Sequence, residues 1–234
     1  MAETQQQLDA GNSALEKARE QLEGLDVLQR LETGDAAARI QQRAEADDID
    51  MLVMGAAPKG GGFARQKSGF IRHLVGQKTL SVVVVRRAPQ KLEHVLICTA
   101  GVEAGEHVIR RGADLAKKLG ARATLLFVAG PVPSMYTGLA GIEEELSELL
   151  ETDTPIARHL RKGAQILDEA GVDGDLELRH GAVAEQIFRN ADENLADLIV
   201  LGASRVGDDL RGLLMGDVTQ EIICGASHPV LIVK

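Results

Sequence analysis

The feature that most limits how this chain can fold is an internal repeat. Gly34 and Gly55 stand 21 positions apart, and so do Gly181 and Gly202. Asp50-Met51-Leu52-Val53-Met54-Gly55 in the first copy matches Asp197-Leu198-Ile199-Val200-Leu201-Gly202 in the second. Each copy closes on a valine-rich run, Val82–Val85 and Val230–Val233, and upstream Ala14–Leu22 resembles Ala157–Ala170. Self-similarity at a fixed spacing means that both copies build the same supersecondary unit. The copies are unequal. The second begins with the run Val95–Cys98, the stretch Glu103–Leu119 and the run Thr124–Val128, and the first has no counterpart of these. Residues 1–89 therefore read as a partial unit without its first strand–helix–strand. Residues 90–234 read as a complete unit, joined to it near Ala88–Lys91.

Short continuous aliphatic runs read as buried parallel strands. Met51–Met54, Val82–Val85, Val95–Cys98, Thr124–Val128, Leu198–Leu201 and Val230–Val233 are of this kind, while Val27–Leu31 and Leu176–Leu178 alternate and read as edge strands. Helical stretches lie between them. Glu103–Leu119 stops at Gly120, a left-handed terminator, and Thr154-Pro155 starts a helix that ends at Gly171. Gln186, Ile187 and Leu195 give helical spacing after Gly181. Alternating strands and helices call for an α/β fold, a doubly wound parallel sheet with right-handed crossovers.

Composition narrows the function. The chain has 234 residues, 44% of them hydrophobic and 26% charged, which is ordinary globular usage. No apolar run approaches the ~20 residues of a membrane span, and Met1–Gln7 lacks the apolar core of a signal peptide. The net charge of −9 argues against nucleic acid as a partner. Aromatic residues are 2% of the chain, so stacking platforms for bases are nearly absent. Two cysteines, Cys98 and Cys224, fit neither a disulfide scaffold nor a zinc site, and they suit a reducing cytoplasm. None of the six histidines, His73, His94, His107, His159, His180 and His228, has a metal-ligand spacing, so no metal is expected. Each histidine reads as a surface or strand-end residue.

Charge is unevenly placed. Residues 1–89 balance 12 Lys+Arg against 12 Asp+Glu, and residues 90–234 carry 14 against 23. From Met51 to Leu92 there are eight basic residues and no acidic one. Within that stretch Gly60 and Gly61, with Lys59, Arg65, Lys67 and Ser68, could cradle an anion, since bare glycine backbone and cations suit phosphate. The same segment also reads as a flexible basic loop or as an interface with an acidic surface. There is no Walker A segment, and Gly202–Gly207 is one residue too long for a nucleophile elbow at Ser204. The acidic stretch 138–151, with Leu139, Ile142, Leu146, Leu149 and Leu150, reads as an amphipathic helix that caps its own domain or meets a protein partner.

Taken in order, Val95-Leu96-Ile97-Cys98-Thr99, Leu125-Leu126-Phe127-Val128, Gly181, Asp197–Gly202, the glycine-bearing segment 202–216 and His228-Pro229-Val230-Leu231-Ile232-Val233 resemble a tandem universal stress protein. The likeness covers 92–234 as a full unit and about 10–88 as a partial one. It implies an adenine-nucleotide alpha-hydrolase-like fold, with a five-stranded parallel sheet in the full unit. It also implies a homodimer, often built through the last strand.

In nucleotide-binding members of that family a glycine loop follows the fourth strand and ends in Gly with Ser or Thr. The resemblance places a variant pocket for ATP at Thr99, Val128, Gly202, Arg205, Gly207, Gly216 and Asp217. Here Gly207 follows Gly202 after four residues instead of two, eight residues instead of nine separate Gly207 from Gly216, and the next residue is Asp217. A carboxylate ~4 Å from a phosphate opposes it by about 1–4 kcal/mol. Asp217 alternatively reads as the N-terminal carboxylate of a helix. The nucleoside-contacting Asp falls on Ala100, and the following Ser on Val102. The expectation is a non-enzymatic stress-response protein that acts by binding, with an eroded nucleotide site. An ATP- or AMP-binding regulator with weak hydrolysis and an interaction module using helix 138–151 are the alternatives. Closed edges for 50–54 and 82–85 require a homodimer or close packing of the two units.

Overall fold

A computed structural model describes residues 2–56, 80–130, 146–203 and 210–234. It divides into two compact units, Met1–Asp48 and Ile49–Lys234. The first unit holds helices α1 (Ala2–Gln21) and α2 (Ala36–Ala46). The Asp35 carboxylate caps α2 by accepting from the Ala38 N–H at 2.9 Å. No described residue of this unit is buried.

The second unit is one seven-stranded sheet in the order β1-β2-β7-β6-β3-β4-β5. Its strands are β1 (Met51–Gly55), β2 (Ser81–Val85), β3 (His94–Thr99), β4 (Arg122–Ala129), β5 (Gly174–His180), β6 (Leu198–Gly202) and β7 (Val230–Val233). The helices are α3 (Glu106–Leu119), α4 (Leu146–Glu151), α5 (Pro155–Ala170), α6 (Val183–Glu193) and α7 (Leu210–Gly225). All neighbouring strands run parallel except β2 and β7, which pair antiparallel through Val82↔Ile232, Val83↔Leu231 and Val84↔Val230.

The repeat is visible in the element bounds. The spacing that carries Gly34 onto Gly181 carries α2 onto α6 and β1 onto β6, residue for residue. It also carries 27–33 onto β5, yet 27–33 forms no strand. The edge strand expected at Val27–Leu31 is therefore absent. Its counterpart β5 is held by a full parallel ladder to β4, and the first copy has no such strand to offer. A further difference concerns packing between the copies. Their strands share one sheet, so β2 is paired on both sides. The edge of β7 that would join two copies of the chain is filled by β2 of the same chain.

Side-chain alternation splits the core onto two faces. Val95, Ile97, Leu125, Leu198, Val200 and Leu231 pack with α3 and α5. Leu96, Leu126, Ile199, Val230 and Ile232 pack with α6 and α7, joined by Val82 and Val84 of β2. The capping signals act as read. The Thr154 hydroxyl accepts from the Ala157 N–H, and Gly120 and Gly171 end their helices at φ +65° and +70°. The Asp197 carboxylate ties β6 to β3 by accepting the N–H groups of Glu93 and His94 at 2.8 and 3.0 Å.

Helix α5 presses closest to the sheet at Gly163, where an added Cβ would strike Leu125 and come within 3.1 Å of Ile109. Overpacking a filled core costs roughly 1–3 kcal/mol. Gly163→Val is expected to lower the unfolding free energy by about that amount, read from urea unfolding of the parent and the variant. An unchanged midpoint would show that α5 does not rest on Leu125.

Candidate functional site

Open α/β sheets take ligands in the crevice beyond the carboxyl ends of their strands. β3 lies between β6 and β4, so the ends of these three strands are neighbours. Thr99 ends β3, Gly202 ends β6 and Val128 is the penultimate residue of β4, so these three candidate residues share one rim of the sheet. Arg205 and Gly207 lie outside the described residues. Gly216 and Asp217 lie within α7, which begins at Leu210. Asp217 is thus well inside the helix and not in its first turn, where the sequence had suggested a carboxylate. The anion candidates Lys59, Gly60, Gly61, Arg65, Lys67 and Ser68 also lie outside the described residues.

Among the described residues, Thr99 at this rim is engaged by groups of the chain itself. The Thr99 hydroxyl is 2.7 Å from Nε2 of His159 and accepts the Gly101 N–H at 3.3 Å. His159, on α5, is only 2% exposed, and its Nδ1 is buried with no hydrogen-bond partner. Gly101 turns at φ +72°, and a Cβ there would meet the Phe127 ring at 2.9 Å and Ile156 at 3.4 Å. A Cβ on Gly202 would lie 3.0 Å from Val108 of α3. The first turn of α3 carries Glu106, just after Glu103. Acidic groups therefore stand at the pole of α3 that favours anions.

Burial holds the His159 imidazole below its usual range, partly offset by Glu106 and Glu103. The sequence reading of this residue as a surface or strand-end one does not hold, since it lies buried inside α5. Its place on the buried stripe Ala157, Leu160, Gly163 and Leu167 is the helical periodicity that could have revealed it. His94 is buried at the opposite end of the sheet. Its Nδ1–H donates to the Asn194 carbonyl at 3.0 Å, which leaves Nε2 to accept from the Thr124 hydroxyl at 2.9 Å. Burial lowers its pKa too, with Arg122 adding to the effect and the Asn194 bond opposing it.

Cys98 is partly buried against the core under α6 and α7, and burial pushes its thiol pKa up. Of the acidic stretch 138–151, residues 138–145 lie outside the described residues. The remainder, α4, buries Leu149 at 5% exposure against Phe127, Ala157 and Leu160. Its apolar side is spent on its own fold. Among the described residues no group of three or more His, Cys, Asp or Glu is placed to hold a metal ion. No helix among them is long and apolar enough to cross a membrane.

Two buried neutral histidines set a pH dependence. Unfolded, both take up protons below about pH 6.5; folded, both resist doing so. Their contribution is complete above that pH and is lost as the pH falls below it. The melting temperature is expected to drop between pH 7.5 and 5.5, and His159→Gln is expected to shrink that drop. An identical pH dependence in the variant would show that His159 charges freely in the folded protein.

Comparison with known proteins agrees with this architecture. The sequence model described as "Universal stress protein family" matches residues 1–90 and again 91–234. A universal stress protein of Methanocaldococcus jannaschii is 29% identical over 152 residues, which is 64% of this chain and 87% of that protein. The stress response protein NhaX of Bacillus subtilis is 25% identical over 163 residues, 61% of this chain and 98% of its own. Among solved structures, a universal stress protein from Archaeoglobus fulgidus superposes with a TM-score of 0.71 at 15% identity, covering 99% of this chain and 78% of that one. That last likeness is one of fold.

Proposed function

The chain belongs to the universal stress protein family, and we propose that it serves a stress response by binding, without catalysis and without a working nucleotide pocket in its second repeat. The observation that carries this reading is the Thr99–His159 pair. The hydroxyl at the end of β3 stands at the crevice and is already engaged by a buried imidazole.

The surrounding chemistry supports the same reading. Ala100 has no side-chain acceptor for a ribose or a base. Phe127 sits against the Gly101 backbone. Glu103 and Glu106 put negative charge at the α3 terminus, where a phosphate would meet repulsion. A ligand that drew the Thr99 hydroxyl away from the imidazole would leave a second buried nitrogen without a partner, at a cost of about 1–3 kcal/mol.

Native mass spectrometry of freshly purified protein, followed by calorimetric titration with ATP with and without magnesium, tests the reading. The expected result is no co-purified nucleotide and no binding heat at micromolar ATP. Saturable micromolar binding would overturn it and make this chain a nucleotide-binding regulator instead.

A further inference from the structure

The two edges of the sheet are built differently. β5, at one end, carries Asp175, Glu177, Arg179 and His180, the charged residues that natural edge strands use against unwanted pairing. β1, at the other end, is Met51-Leu52-Val53-Met54-Gly55, with no charge and no proline. Its composition is that of an interior strand. It pairs with β2 on one side and, among the described residues, with no strand on the other.

The repeat shows what an interior strand of this sequence requires. Counterparts share the spacing between Gly34 and Gly181, so β1 corresponds to β6 and Val53 to Val200. β6 has β3 as its parallel outer neighbour, and α3 crosses over β3, β4 and β6. Under that cover Val200 is 0% exposed, whereas Val53 is 64% exposed. The first unit, taken by itself, shows the same deficit. Residues 27–33 correspond to β5, which is held by β4, yet they form no strand and leave Leu28 73% exposed. Helix α2 buries no residue, while its counterpart α6 buries four, Ala184, Ile187, Asn190 and Ala191. What β1 lacks, among the described residues, is an outer strand with a helix over it, the place that β3 and α3 take beside β6.

We propose that the outer edge of β1, unpaired among the described residues, is an acceptor for a strand–helix–strand polypeptide segment with the chemistry of residues 94–129. It has aliphatic strands, the first laid parallel to β1, and an amphipathic helix that covers Val53. A second copy of the chain fits less well. Its β1 could complete the backbone ladder, but its own Val53 is as exposed as the first, so among the described residues nothing of the second copy would cover this face. This inference stands on the repeat and the edge alone and does not depend on the state of the nucleotide site.

The test keeps the full chain and adds a duplicate of residues 91–130 ahead of it on a glycine–serine linker, with a scrambled duplicate as control. Hydrogen-exchange mass spectrometry follows residues 51–55. The expected result is at least tenfold slower exchange in this segment with the native duplicate only. Val53→Lys in the fusion is expected to return 51–55 to the unfused rate. The same substitution in the unfused chain is expected to leave its melting temperature unchanged, since Val53 packs little there. Equal exchange with native and scrambled duplicates would overturn the proposal. So would an unfused chain that light scattering finds dimeric and Val53→Lys makes monomeric, because the edge would then belong to a second copy.

Discussion

The antiparallel ladder between β2 and β7 is the constraint on which the rest of the second unit depends. Three residue pairs, centred on Val83↔Leu231, join the last strand of one repeat to the last strand of the other. Antiparallel pairing of equivalent strands relates them by a local two-fold axis. The order β1-β2-β7-β6 accordingly reads the same from either end when each strand is replaced by its counterpart. Without this ladder, β1 and β2 would form an isolated two-stranded ribbon, which has little stability in water. With it, Val82 and Val84 enter the core built by α6 and α7 and are almost completely buried.

The repeated Asp–aliphatic–Gly run shows how one motif acquires different work in two settings. Asp197 accepts two N–H groups at the start of β3 and so fixes where β6 meets β3. Asp50 occupies the same place before β1 and is exposed. The carboxylate is a register pin where a neighbouring strand exists for it to hold. Similarly, Arg179 in β5 pairs with Glu177 and Glu193 along a strand that a neighbour keeps straight.

Most of the fold was legible in the sequence because its signals are local. Aliphatic runs, Thr154-Pro155, Gly120 and Gly171 each act within a few residues, and the elements fall where they indicate. The alternation at Val27–Leu31 misled because a strand needs a partner and alternation says nothing about whether one is present. The direction of β2 against β7 was also not legible, since a valine run pairs equally well in either sense. At the candidate site, sequence spacing put Thr99, Val128 and Gly202 at adjacent strand ends, but it could not show that Thr99 is engaged by His159, sixty residues away. That bond is a product of α5 lying across the sheet, which no short-range pattern encodes.

The β2–β7 ladder also bears on how the protein is made. Val82 finds its partner in Ile232, 150 residues later. A ribosome adding roughly 5–20 residues per second leaves β2 without that partner for on the order of ten seconds. During that interval a strand of four consecutive valines has, among the described strands, β1 alone to pair with. The newborn chain thus passes through a sticky stage that the finished protein conceals, and the arrival of β7 ends it.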